Sequence, residues 1–100
     1  MVVFKFSQFG PHLVTRALGA QARQALLAEM AKGGKVVLDF SDIEIVGNSF
    51  ADECLGKLLL QMSLEELQSR TTFRNLSGTS RVSVSAALRR RYNSLQPTSA

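Results

Sequence analysis

The residues of this chain that could carry chemistry gather in three short stretches. Asn48-Ser49-Phe50-Ala51-Asp52-Glu53 puts a hydroxyl ahead of two carboxylates, Thr15-Arg16 pairs a hydroxyl with a cation, and Asp39 closes an apolar run. A serine at a helix start can cap the helix or take a phosphoryl group. Arg16, Asp39 and Asp52 could converge, because strand ends and helix starts meet at one edge of an α/β domain. The expected result is a structural polar cluster of Thr15, Arg16 and Asp39, with ion pairing that orients the helices. A ligand-binding or enzymatic site around Arg16, Asp39 and Asp52 is the alternative. Asp39, Asp42, Glu44, Asp52 and Glu53 supply carboxylate oxygens, but their spacing matches no calcium loop, so a solvated rim and no metal site are expected.

The remaining reactive residues read as structural. Cys54 falls on the apolar stripe of its helix and is expected in the core. His12 has no nucleophile at a telling spacing, and Gly33-Gly34 lacks the pattern of a phosphate loop. With no nucleophile–base pair, neither enzymatic activity nor a cofactor is expected. Arg89-Arg90-Arg91-Tyr92 raises nucleic acid as an alternative function. Consecutive residues on a helix point about 100° apart, so these arginines make no single basic face, and nucleic acid is not the expected partner.

The elements that must position these residues follow from pattern. Val2–Phe6 is β-branched and aromatic and predicts a strand with Phe4 and Phe6 on one face. Gly10-Pro11 breaks it, and His12-Leu13-Val14 returns as a small hairpin. Thr15 caps a helix over 16–32 whose stripe is Leu18, Ala22, Ala25, Leu26 and Met30, ended by Gly33-Gly34. Lys35–Phe40 is nearly continuous in apolar residues, the mark of a central strand buried on both faces. In the connection 41–47, Ile43, Ile45 and Val46 are expected to pack inward in part. Asn48 or Ser49 caps the next helix, with Asp52 and Glu53 in its first turn, a Glu53–Lys57 pair, and Ala51, Cys54, Leu55, Leu58, Leu59 and Met62 on its buried face. A short helix near 64–68, a strand over 71–76 and a last helix from Thr79 or Ser80 complete the order. Val84, Leu88, Tyr92 and Leu95 form the apolar stripe of that last helix.

Alternation of strand and helix predicts an α/β fold with at least some parallel strand pairs. One hundred residues allow one domain, expected over residues 1–95 with a flexible tail at 96–100. The net charge of +4 permits an acidic partner without requiring one. No apolar run approaches the roughly 20 residues of a membrane span. A lone cysteine and the absence of a signal-peptide pattern lead to the expectation of a cytoplasmic protein.

The segment KVVLDFSDIEIVGNSFADECLGKLLL, residues 35–60, resembles the central unit of STAS domains, the fold of the anti-anti-sigma factors. The whole chain, roughly Val3 to Tyr92, resembles more closely the STAS-like group of unknown function. Thr15-Arg16 opens the first helix as that group's pattern has it, Asp39-Phe40 ends an apolar strand, and Ser49-Phe50-Ala51-Asp52 opens the next helix. Asn75 after the later strand also fits. The resemblance implies a small STAS-like fold, a mixed β-sheet with helices mainly on one face, in a bacterial regulatory setting.

It also implies a protein partner, a histidine-kinase-like ATPase or an anti-sigma-type factor, bound through Asn48, Ser49, Phe50, Asp52 and Glu53. Ser49 stands at the position phosphorylated in anti-anti-sigma regulators. Those regulators place small residues directly after the serine, whereas here two carboxylates follow in what reads as the same turn and would repel a phosphate. That difference favours a capping role for Ser49, or a constitutive binding surface on the same loop.

Overall fold

The computed structural model describes residues 1–96. Its elements are β1 (Val2–Lys5), a 3-10 turn (Phe6–Phe9), β2 (His12–Leu13), α1 (Arg16–Met30), β3 (Val36–Asp39), β4 (Ile45–Val46), α2 (Asn48–Cys54), a second 3-10 turn (Gly56–Leu60), α3 (Leu64–Arg70), β5 (Thr71–Arg74) and α4 (Gly78–Leu95). The tail expected to be flexible lies, from residue 97 onward, outside the described residues.

The α/β class is as the residues imply. The strand pairing differs from the single mixed sheet expected. Every pair is parallel, and the strands form two sheets, β1-β3-β5 and β2-β4. The hairpin expected at His12–Val14 does not form, because β2 pairs with β4 and β1 pairs with β3. A parallel partner can be reached only by a long crossover, and α1 supplies one between β1 and β3.

β3 is the central strand, and all four of its residues are buried. In register with it, Val36 and Leu38 share a face with Phe4 of β1, and these three belong to the hydrophobic core. Val3, Lys5, Thr72 and Arg74 are exposed on the other face, where Val37 is flanked by Val3 and Thr72. The helices therefore pack mainly on one face of the sheet.

The core is organised around aromatic rings. Phe6 turns inward as β1 ends and stacks on Phe40 at 4.4 Å between ring centroids. It meets Phe4 edge-on at 5.0 Å and Phe50 edge-on at 6.2 Å. Such pairs add about 0.5–1.5 kcal/mol each beyond the area they bury. Phe6 and Phe50 are both completely buried.

α1 begins as expected, with the Leu18 amide donating to Thr15 Oγ1 at 3.1 Å. Ala22, Leu26 and Met30 fill its buried stripe, joined by Gly19. It ends two residues early, at Met30, and Gly33 and Gly34 then turn the chain with φ of +85° and +79°. In the 41–47 connection Val46 is buried, but Ile45 stays 52 % exposed. On α4, Val84 is buried and Leu95 is exposed, so the stripe expected there covers only the body of the helix.

Candidate functional site

α2 is positioned by close backbone approach to α1. Gly47 packs against Val14, where an added Cβ would lie 3.4 Å from the Val14 backbone. One turn on, a Cβ at Gly19 would come within 2.9 Å of Glu53 Cβ and 3.1 Å of the Phe50 carbonyl oxygen. Neither contact can yield by rotating a flexible side-chain end. Gly19→Ala is accordingly expected to push the two helices apart and cost about 1–3 kcal/mol, read as a lower urea midpoint.

The close approach lets charged groups meet. Arg16 Nη1 donates to Asp52 Oδ2 at 2.9 Å and to Glu53 Oε1 at 3.2 Å. Arg23, two turns later on α1, donates to Glu53 Oε2 at 3.1 Å and to the Glu53 carbonyl. Lys57 reaches the same carboxylate at 3.0 Å. From α4, Arg91 clamps Asp52 with two bonds, Nε to Oδ1 at 2.7 Å and Nη2 to Oδ2 at 2.8 Å. Gly56 makes room for this clamp, since a Cβ there would lie 2.9 Å from both Arg91 Cγ and Asp52 Oδ1.

Asp52 and Glu53 are buried, yet both stay ionised. The Arg91 guanidinium, aided by Arg16, outweighs the cost of burial and holds the Asp52 carboxyl far below the usual carboxylate range. Lys57, then Arg23 and Arg16, bring the Glu53 carboxyl down to about 2. Charge-assisted, bidentate pairs of this kind fix orientation as well as charge. The network ties α1, α2 and α4 together.

Several expectations about this region change. Phe50 lies in the core, and Asp52 and Glu53 are buried in ion pairs, so these three do not form part of an exposed partner surface. Only Asn48 and Ser49 of the five are exposed. Ser49 is not the cap. Gly47 holds the N-cap position without a side-chain bond, and Ser49 is the second helical residue. Asp52 and Glu53 therefore stand beyond the first turn, each neutralised by cations rather than free to repel a phosphate.

Arg16 does meet Asp52, but Asp39 joins neither. Its Oδ1 accepts from the Ser41 amide and from Asn75 Nδ2, both at 3.0 Å. Asn75 chiefly, with Ser41, lowers the Asp39 carboxyl below its ordinary value. Asn75 sits at φ +60°, a left-handed geometry that asparagine tolerates, at the turn out of β5. The expected cluster of Thr15, Arg16 and Asp39 is thus three separate devices: a cap, an interhelical ion pair and a strand-end turn.

The other candidates separate in the same way. Among the described residues no three His, Cys, Asp or Glu side chains are placed to hold a metal ion. Glu44 faces His12 at 3.8 Å instead of joining the other carboxylates. Burial pushes the Cys54 thiol up to about 12, well away from a reactive thiolate. Arg91, read in sequence as one of three solvated arginines, is the main partner of Asp52, while Arg89 and Arg90 remain exposed. Its role could not be seen in the sequence, because only the packing of α4 on α2 and the second 3-10 turn brings residues 52 and 91 together. An apolar cleft of about 280 Å³ between α3, β5 and α4, lined by Leu55, Leu67, Phe73 and Leu88, shares no residue with this region.

Two exposed apolar side chains lie near Gly47, the residue that caps α2. Val14, 45 % exposed, precedes α1 and packs beside Gly47, and Ile45, 52 % exposed, lies on β4 just before Gly47. Asn48 and Ser49, which follow Gly47, are exposed as well. Among the described residues, no helix is long and apolar enough to cross a membrane.

No curated protein and no solved structure matches the chain. The family model described as a STAS-like domain of unknown function (DUF4325) matches residues 19–81, from the first turns of α1 into the start of α4. That segment contains Asp39, Ser49, Asp52, Glu53 and Asn75, whereas Thr15, Arg16 and Arg91 lie outside it. With the match spanning most of the chain, and the parallel α/β architecture agreeing with it, the chain belongs to the family of STAS-like domains of unknown function.

Proposed function

We propose that this domain is a regulatory protein-binding module that works by partner switching, and that it is not an enzyme. Its binding surface is the start of α2, Asn48 and Ser49, with Val14 and Ile45 beside it. The partner class is a histidine-kinase-like ATPase or an anti-sigma-type factor, the class implied by resemblance to the anti-anti-sigma STAS regulators. The observation that carries the reading is the placement of Ser49. It is exposed on a helix whose body is locked to α1 and α4 by buried ion pairs. A phosphate there alters the outward surface without requiring the interior to move.

In such a switch the Ser49 Oγ–P bond forms as the β–γ bridging bond of the partner's ATP breaks. ADP leaves, and the hydroxyl proton passes to a base of the partner. The phosphate brings about −1.5 to −2 charges beside Val14 and Ile45, which a docked apolar surface cannot accommodate without a desolvation cost.

The test uses a purified ATPase of the histidine-kinase-like fold, immobilised for capture. Ser49→Asp and Ile45→Asp are each expected to weaken capture by roughly tenfold or more, with circular dichroism unchanged. With ATP present, mass spectrometry is expected to place one phosphate on Ser49, and Ser49→Ala to stay captured. Capture that neither acidic substitution affects would overturn the surface assignment.

A further inference from the structure

The ion network is not balanced. Four cations, Arg16, Arg23, Lys57 and Arg91, stand against two carboxylates, which leaves an excess of two positive charges. The cations differ in their access to water. The side chains of Arg23, Arg91 and Lys57 are 14 %, 28 % and 32 % exposed, but that of Arg16 is 55 % exposed. Arg16 uses a single nitrogen, Nη1, for both carboxylates. Among the described residues its other guanidinium nitrogens donate to no protein group.

Arg16 is also the cation of the network that bonds both of the carboxylates following Ser49 on α2 and stands most open to water. Ser49 precedes Asp52 by three residues and Glu53 by four, so the three lie on one face of α2. Arg16 bonds both carboxylates and so lies along that face. Val14, two residues before Arg16, packs on Gly47, two residues before Ser49. On the β2–β4 side the charged neighbours are His12 and Glu44, which face each other. Arg16 is therefore the cation of this network with guanidinium nitrogens left over and the most access to water.

We propose that Arg16 is the phosphate-holding residue of this domain, turning its unused guanidinium edge to a phosphate on Ser49. The idea rests on the reading of Ser49 given above and assigns the residue that reads its modification. A phosphate of nearly −2 cancels the cation excess. Asp52 keeps Arg91, and Glu53 keeps Arg23 and Lys57, so the helices stay clamped when Arg16 shifts toward the phosphate. The switch then has two surface states on one rigid frame. In one, Arg16 is spent on the carboxylates and Ser49 is open. In the other, the start of α1 is tied to the phosphate beside Val14 and Ile45.

The experiment installs phosphoserine at position 49 during synthesis and follows its phosphorus resonance against pH. A guanidinium in contact favours the dianion, so the second phosphate pKa is expected to fall by about half a unit or more from its value in the urea-unfolded chain. Arg16→Gln is expected to restore the unfolded value, Arg16→Lys to recover part of the shift, and Arg90→Gln, at an exposed site on α4, to leave it intact. A folded wild-type phosphate with the same pKa as in urea would overturn the proposal, whatever the variants do. So would a shift that Arg16→Gln, folded by circular dichroism, leaves unchanged. Because the phosphate is installed directly, these outcomes judge Arg16 alone, while failure of the kinase to capture or modify the protein judges the switch reading.

Discussion

Phe50→Ala is expected to cost about 3–5 kcal/mol of folding stability. The ring is completely buried and meets Phe6, which is itself stacked on Phe40. Removing it leaves a cavity beside Phe6, just past the ends of β1 and β3. A domain of this size has about 5–15 kcal/mol in all, so the variant should melt far earlier and show a large fall in urea midpoint. The same substitution on an exposed anchor would change stability by no more than about 0.5 kcal/mol while weakening partner capture. Urea denaturation of the isolated domain separates the two cases. A change below about 1 kcal/mol would place the ring outside the core.

Asp52→Asn is expected to cost about 2–3 kcal/mol, somewhat less than the 3–5 of a fully enclosed pair, because Arg16 and Arg91 keep part of their hydration. The amide retains the shape but offers Arg91 one oxygen where there were two, and it cannot offset the charge of either guanidinium. The effect depends on pH with a definite sign. Asp52 and Glu53 have folded pKa values depressed below their ordinary ones, to about 2 for Glu53 and lower for Asp52. Their contribution is complete above the unfolded carboxylate range near 4 and is lost as pH falls through the folded values. Wild type should therefore lose stability steadily below about pH 4.5, and Asp52→Asn should lose it less steeply. Urea titrations at pH 7 and pH 3 are expected to show the gap between the two proteins narrowing at the lower pH. A gap of equal size at both would show that the carboxylate charge is not what Arg91 and Arg16 recognise.

Much of the site's frame was legible from local chemistry. Thr15 caps α1, because a hydroxyl before a run of helix formers has an unpaired amide within reach. Lys57 meets Glu53, because i,i+4 partners are neighbours on any helix. The unbroken run Val36–Leu38 belongs to a central strand because nothing polar is available to face water. The surface was read less well. Asp52 and Glu53 look solvated in sequence, as acidic residues near a helix start generally are. Whether a carboxylate is solvated or buried depends on its partners, and Arg91 is 39 residues away from Asp52. Phe50 was misplaced for a related reason: a large apolar side chain near a helix start can be a docking anchor or a core ring, and only the position of Phe6 across from it decides.

The strand–loop–helix unit around Ser49 shows where the division falls. The alternation of the main strands and helices, the cap of α1 and the family all follow from residue types and their spacing, whereas the short strand β4 and the end of α2 at Cys54 do not. Those features depend on interactions within a few residues or on periodicities that a chain carries wherever it goes. Tertiary packing decided which of the polar groups beside Ser49 face water. Gly19 and Gly56 let α1 and α4 close on α2, bury two carboxylates and hold them ionised among four cations. That closure leaves Asn48 and Ser49 outside, because a buried charge must be paired while a hydroxyl in water need not be.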